Sequence, residues 1–257
     1  AGVRVGHIAD LNEAAARPWV EKTGARFPRD YRALIADPAV TAVSVLTHSR
    51  FHRDIAEAAL AAGKDVVCEK TMMDNADEAA AMVRLARASG RLFFTGYMKR
   101  FFPAVRKAKE LLPQLGRLYS VHVRSCQPWG DLFNTPEPGK LDWILKNYGG
   151  AVVKCAGSHM IDMSLFLLGR PRRLAAHVDY IPGTTIDRKA EALWVYDNGL
   201  TVQFEAVAHP LSRVGYERCG WDESIEISGA DGRLELCTVV WDQPERHAPL
   251  LTHHDNR

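Results

Sequence analysis

The rhythm of apolar and polar positions changes near residue 98. Before it, short β-branched runs alternate with helical patterns. Residues 3–9 (VRVGHIA) read as a strand ending at Asp10, and residues 12–23 as a helix stopped by Gly24. Asp30 precedes a second short helix that ends at Asp37-Pro38. Residues 40–46 (VTAVSVL) form a continuous apolar run, the mark of a strand buried on both faces. Residues 51–62 read as a helix ending at Gly63, and 65–68 (DVVC) as another buried strand. Residues 74–89 read as an amphipathic helix with Met72, Ala76, Ala79, Ala80, Val83 and Leu85 mostly inward, and 92–97 as a last strand. Strand and helix alternating with short links predict a doubly wound α/β domain with a parallel sheet and helices on both faces. Ligands of such sheets bind at the strands' C-terminal ends. Here those ends are Asp10, Leu46-Thr47-His48, Cys68-Glu69-Lys70 and Gly96-Tyr97.

Beyond residue 98 a helix over 101–112 leads into an alternating strand, RLYSVHVRS. A loop rich in Pro, Gly and Asp spans 127–140, and a helix spans about 150–168. From 172 onward strand patterns dominate, with hairpin signals at Asp197-Asn198-Gly199 and Asp231-Gly232. This half predicts an α+β domain with a large, mainly antiparallel open sheet. The expected division is 1–98 and 99–257.

Composition narrows the classes without choosing among enzymes. The 257 residues carry Lys+Arg 33 against Asp+Glu 31, a net +2, with both signs interspersed, so neither a nucleic acid nor a membrane surface is an expected partner. The longest uncharged run, Pro38 to Ser49, is too short for a membrane span of about 18 residues. Five cysteines stand apart with no CxxC pair, which favours a reducing cytoplasm over a disulfide scaffold. No GxGxxG occurs, and the chain opens into what reads as a second strand. In an ordinary dinucleotide fold the first strand, its glycine-rich turn and the first helix come before this point. About 30 residues of such a unit are therefore expected to be missing.

Five blocks occur in order. Asp30-x3-Leu34-Ile35-x-Asp37-Pro38 leads to Thr47 and His52. Ala58-x3-Ala62-Gly63-Lys64 is followed by Cys68-Glu69-Lys70. Gly96-Tyr97-Met98-Lys99-Arg100-Phe101 comes next, and Gly149-Gly150…Gly157-Ser158-His159-Met160-Ile161-Asp162 last. Over about residues 3–240 this series resembles the Gfo/Idh/MocA family, the relatives of glucose–fructose oxidoreductase and inositol dehydrogenase. The resemblance implies a Rossmann domain followed by an α+β domain for substrate and oligomer contacts. It implies NAD as cofactor, with NADP the alternative, and a sugar, cyclitol or related polyol as substrate.

The resemblance also implies roles for particular residues. Asp10 would take the adenosine ribose hydroxyls, although a strand-end acid equally caps the next helix. Thr47, His48 and His52 would lie along the cofactor, while the plainer reading of His52 is backbone bonding at a helix start. Glu69-Lys70 matches a Glu-Lys-Pro motif whose lysine sits between nicotinamide and substrate and stabilises alkoxide character. Thr71 replaces that proline. A cis bond before a non-proline residue costs about 3–4 kcal/mol, so a trans or strained turn is expected. His159, with a side chain that titrates near neutrality, would exchange the proton. Asp162 shares its face, and Cys155 stands where the family has an aspartate that contacts substrate. A thiol cannot supply that charge, and a Cys155–His159 pair is too few ligands for a metal site.

Tyr97 and Arg100 would lie near the nicotinamide, or pack at a helix start. Lys99, Trp129 and Trp143, with Asn147, would face substrate, or pack at a domain edge. Trp194, Trp221 and Trp241 fall in sheet patterns. A homodimer or homotetramer is expected through an apolar open face of the second sheet, carried by 174–181, 191–196 and 200–207. The expected activity is hydride transfer between a nicotinamide and a secondary alcohol or ketone, with Lys70 and His159 as catalytic residues. The departures at Thr71 and Cys155 keep open a catalytically altered, ligand-binding regulatory relative.

Overall fold

The computed structural model describes residues 2–134, 139–148, 150, 152–240 and 248–255, with the backbone alone at 147 and 148. Gly149, Trp241 and the side chain of Asn147 lie outside the described residues. The chain divides into two compact units, Ala1–Gly96 and Tyr97–Arg257.

The first unit holds α1 (Glu13–Thr23), α2 (Tyr31–Ala36), β1 (Ala42–Val45), α3 (His52–Ala61), β2 (Asp65–Cys68), α4 (Ala76–Ser89) and β3 (Phe93–Thr95). Local chemistry sets most of the helix ends. The side chains of Asn12, Asp30 and Asn75 accept backbone N–H groups at the starts of α1, α2 and α4. Gly24 and Gly90 close α1 and α4 in the left-handed region that glycine enters freely. The three strands are parallel in the order β1-β2-β3. Val43, Val45, Val66 and Cys68 pack with Ile55, Ala59, Leu60 and Met82.

The sheet is covered on one face only among the described residues. Ala42, Ser44, Val67 and Phe94 are exposed, against the expectation that 40–46 is buried on both faces. An apolar run shows that one face can be buried, but a strand needs a second layer to bury the other. Residues 3–9 likewise form no strand. They make one parallel bridge, His7 to Arg26, because only Gly6 and Ile8 find backbone partners. On α4 the inward residues are Ala79, Met82, Leu85 and Ala86, whereas Ala76, Ala80 and Val83 are exposed. Met82 anchors the helix because it is the largest apolar side chain on the face turned to the sheet.

The second unit begins with a 3₁₀ turn, Met98–Phe101, then α5 (Pro103–Leu111) and β4 (Leu118–Gln127). α6 (Lys140–Tyr148) follows, then a π-helical turn, Val152–Gly157, that runs directly into α7 (Ser158–Leu168). The remaining strands are β5 (Arg173–Tyr180), β6 (Asp187–Val195), β7 (Thr201–Ala208), β8 (Asp222–Gly229), β9 (Gly232–Thr238) and β10 (Leu250–Asp255). The sheet order is β10-β9-β8-β4-β7-β6-β5, antiparallel except for the parallel pair β4–β7. Gly199 makes the positive-φ turn between β6 and β7. Val121, Val123, Phe204, Ile225 and Leu234 bury one face against α5 and α7.

The open face differs from its expected apolar character. In register across it lie His177, Glu191, Glu205, Arg124 and Ser224. Arg124 bridges Glu205 at 2.8 Å and Asp222 at 2.7 Å. The inward positions of β7 are apolar and its outward ones mostly polar (Thr201, Gln203, Glu205), so the alternation marks a core face rather than a second apolar surface.

Candidate active site

In the first unit the functional candidates cluster at the C-terminal ends of the strands. Thr47 and His48 follow β1 and are exposed. His52, the first residue of α3, is fully buried. Its Nε2 lies 3.0 Å from the Thr47 carbonyl oxygen and its Nδ1 lies 2.9 Å from that of Thr71. Both ring nitrogens therefore face backbone and lace the loop after β1 to the turn after β2. Ser49 adds a second stitch by donating to Asp74 at 2.7 Å.

Glu69 and Lys70 follow β2. The Glu69 carboxylate accepts the Lys70 N–H at 3.0 Å. A Cβ on Gly96, at the end of β3, would stand 3.1 Å from Glu69 Oε1, so glycine leaves this carboxylate its room. The Lys70–Thr71 peptide is cis, not the trans form expected of a residue lacking the proline ring. The turn is held through backbone groups, the Lys70 N–H and the Thr71 carbonyl, which do not depend on the side chain at 71. Asp10 is exposed, and its Oδ1 accepts the Asn12 N–H at 2.7 Å, a local turn contact before α1. Burial pushes the Cys68 thiol up to about 12, so it is no nucleophile near neutral pH.

In the second unit, Tyr97, Arg100, His159 and Asp162 come together. The rings of Tyr97 and His159 meet edge to face, centroids 5.8 Å apart. Burial pushes the Tyr97 hydroxyl up, and a hydrogen bond with Ser158 works the other way. Arg100 grips Asp162 with two parallel hydrogen bonds, Nε to Oδ2 at 2.6 Å and Nη2 to Oδ1 at 2.5 Å. That bond raises the Arg100 pKa further. His159 and Asp162 are one helical turn apart on α7, and both are buried. Cys155 sits half-buried on the π-helical turn ahead of them. Such turns widen a helix locally and recur at functional sites.

Two expectations need correction. Lys99 does not face substrate. It is buried and its ammonium is spent on Glu223, Thr238 and Met160. Trp143 is not in a loop but on α6, half-exposed, with Lys140 over its ring. Trp129 is half-buried and donates to Gln127 at 3.0 Å. The sequence reading also missed Glu223, the buried carboxylate that Lys99 meets. Its signal was present, because Glu223 occupies the same strand parity as the core residues Ile225 and Ile227.

Comparison with known proteins identifies the family. Residues 1–97 match an oxidoreductase family with an NAD-binding Rossmann fold, and residues 105–235 match the GFO/IDH/MocA C-terminal domain. D-xylose 1-dehydrogenase (NADP(+)) 2 of Haloferax volcanii is 27% identical over 97% of this chain and 73% of its own length. Inositol 2-dehydrogenase 2 of Saccharopolyspora erythraea is 32% identical over 91% of this chain and 66% of its own. Thus the chain spans about two thirds to three quarters of these relatives. Among solved structures, an NAD-binding oxidoreductase from Klebsiella pneumoniae superposes with a TM-score of 0.76, at 23% identity over 98% of this chain and 71% of that one. A levoglucosan dehydrogenase in complex with NADH and levoglucosan gives 0.78, at 23% identity over 96% and 70%. Two domain matches in order, the second covering half the chain, establish that the chain belongs to the Gfo/Idh/MocA oxidoreductase family.

Proposed function

We propose that the chain is the catalytic part of an NAD(P)-dependent oxidoreductase. It would transfer hydride between a nicotinamide and a secondary alcohol or ketone of a sugar, cyclitol or related polyol. The observation that carries this reading is the buried His159, packed by Tyr97 and sharing its helix face with the Arg100–Asp162 pair. The named activities of the relatives, on xylose, inositol and levoglucosan, point to the same substrate class.

The residues present fit one part of the cofactor. The exposed Asp10 suits the adenosine ribose. Thr47, His48 and Lys70, at strand ends cleared by Gly96, suit the nicotinamide end, with Tyr97 and Arg100 as further contacts. The nicotinamide, when bound, supplies or accepts the hydride. Lys70 holds the reacting oxygen and stabilises negative charge on it. His159 takes up or returns the hydroxyl proton. Cys155, Asp162, Trp129 and Trp143 complete the substrate contacts in this reading. NAD is the expected partner and NADP the alternative, because no arginine follows Asp10 to receive a 2′-phosphate. No described helix is long and apolar enough to cross a membrane, and all five cysteines are free. A cytoplasmic homodimer or homotetramer belongs to the same proposal.

Titrating NADH and NADPH by protein-fluorescence quenching, followed by a polyol screen, tests it. Micromolar binding with turnover that is lost in Lys70→Ala and His159→Ala supports the reading. Turnover that survives both substitutions sinks it. Cys155 favours one second reading, a relative that binds cofactor without turning over, and this would show as binding without turnover that Cys155→Asp does not restore.

A further inference from the structure

Lys99 and Glu223 form the most enclosed ion pair among the described residues, with side chains 2% and 0% exposed. The carboxylate is saturated. One oxygen, Oε2, accepts from Lys99, from Thr238 Oγ1 at 2.6 Å and from Trp221 Nε1 at 2.8 Å. Its other oxygen, Oε1, accepts from Gln127 Nε2 at 2.7 Å and Ser125 Oγ at 3.3 Å. The pair thus joins the ends of β4, β8 and β9. Stability alone is a poor reason for such a pair, because apolar residues of similar volume often serve a core equally well or better.

Its position suggests a different task. Lys99 is the middle of the 3₁₀ turn Met98–Phe101. Tyr97, two residues before it, packs its ring against His159, and Arg100, immediately after it, clamps Asp162. The Lys99 ammonium also lies 3.9 Å from the sulfur of Met160, the residue next to His159. The segment therefore touches α7 at three consecutive positions, Ser158, His159 and Met160, and again at Asp162. We propose that Lys99 and Glu223 are positioning residues. The pair nails the turn to the sheet so that Tyr97 and Arg100 fix the orientation of the His159 imidazole. This rests on the reading of His159 as the proton-exchanging group.

The test replaces the pair with apolar residues, Lys99→Met together with Glu223→Leu, which leaves no buried charge unpaired. Histidine-imidazole NMR, with His159 assigned by its absence in His159→Gln, reads ring position without needing activity. The expected result is a cooperative thermal transition, a displaced His159 resonance and loss of its cross-peak to the Tyr97 ring. The same variant should lose roughly tenfold to hundredfold in kcat, as for a slightly misplaced catalytic group. An unchanged His159 resonance and cross-peak overturns the proposal, whatever the kinetics. If the double variant does not fold, Glu223→Gln is read by the same spectra. That substitution keeps the volume and removes the charge, and an unmoved His159 there overturns the proposal equally. Absence of dehydrogenase activity in the parent protein would overturn the functional reading alone, because the spectra decide positioning by themselves.

Discussion

His52 and Thr71 are nineteen residues apart in sequence, yet the imidazole Nδ1 lies 2.9 Å from the Thr71 carbonyl oxygen. The contact ties the start of α3 to the turn that carries Lys70. With Nε2 at 3.0 Å from the Thr47 carbonyl, one fully buried ring serves two loops. Only one ring nitrogen of a neutral imidazole bears a hydrogen, so removing the ring leaves one of the two loop carbonyls without its donor, a loss of about 1–3 kcal/mol. His52→Ala should therefore lower unfolding stability by about 1–3 kcal/mol, read by urea denaturation at neutral pH. A loss within experimental error of zero would mean that water or another donor takes over the ring's place.

Arg100 meets Asp162 through two guanidinium nitrogens. Lysine keeps the charge but loses the fork, so Arg100→Lys is not conservative here. In the proposed enzyme it should lower kcat by roughly tenfold and leave the melting temperature within a few degrees, because the arginine side chain is 40% exposed. Steady-state kinetics beside a thermal melt would check this. Unchanged kcat would show that Asp162 holds its place without the clamp.

Much of this arrangement was legible in the sequence wherever local chemistry decides it. The lead-in Asp30 and the stop Gly24 gave helix limits within a residue or two. The bounds of strand 65–68 needed no revision, because its apolar run is short and bounded by Lys64 and Glu69, although Val67 on it is exposed rather than buried. What failed depends on distant partners. Periodicity does not say whether a second layer covers Val67 and Phe94. α6 was hidden by the Pro- and Gly-rich stretch before it, and β10 by the histidines and acid at its end. At the site, His159 and Asp162 were legible as residue types at helical spacing, and Arg100 only through the family resemblance. The destination of Lys99 was not, because its partner lies 124 residues away on β8.

Glu223 makes acid stability a specific test of the buried pair. Burial by itself raises its pKa. The Lys99 charge and the hydrogen bonds from Lys99, Thr238 and Gln127 outweigh burial and hold the pKa below the ordinary value of 4.5. A depressed carboxylate contributes stability that is fully present above its unfolded pKa and is lost as pH falls through the folded one. The protein should therefore lose stability on acidification below about pH 4.5. Glu223→Gln should show a flatter acid limb, and a deficit of about 3–5 kcal/mol at pH 7 from the unpaired Lys99. Denaturant melts between pH 3 and 7 supply both numbers. Parallel acid limbs in the two proteins would assign the pH dependence to other carboxylates.

Burial pushes both Cys68 and Cys126 up to about 12, so neither is a thiolate in the native protein near pH 8. Cys219 is exposed. A thiol reagent at pH 8 should therefore label Cys219 quickly, and Cys68 and Cys126 only when the chain unfolds. Peptide mapping after a short pulse reads the difference. Early labelling of Cys68 would show that the segment between β2 and its buried neighbours opens in the native state.

Cys155 separates the two readings of the function. It stands on the π-helical turn four residues before His159, where the family resemblance expects an aspartate. A half-buried thiol there can fill space but brings no negative charge to a substrate hydroxyl. In the enzyme reading, Cys155→Asp restores a carboxylate beside the proton-exchanging histidine. Turnover on the polyol found by screening should then rise by at least about tenfold, the low end of what a positioned acid–base group adds. KM for the cofactor should stay unchanged, because Cys155 is not among the proposed cofactor contacts. If the substitution instead lowers turnover on that substrate, the thiol is part of a pocket shaped for a less polar alcohol, and the screen should move to substrates with an apolar group at that position. If neither protein turns over any polyol while both bind NADH, the regulatory reading replaces the enzymatic one.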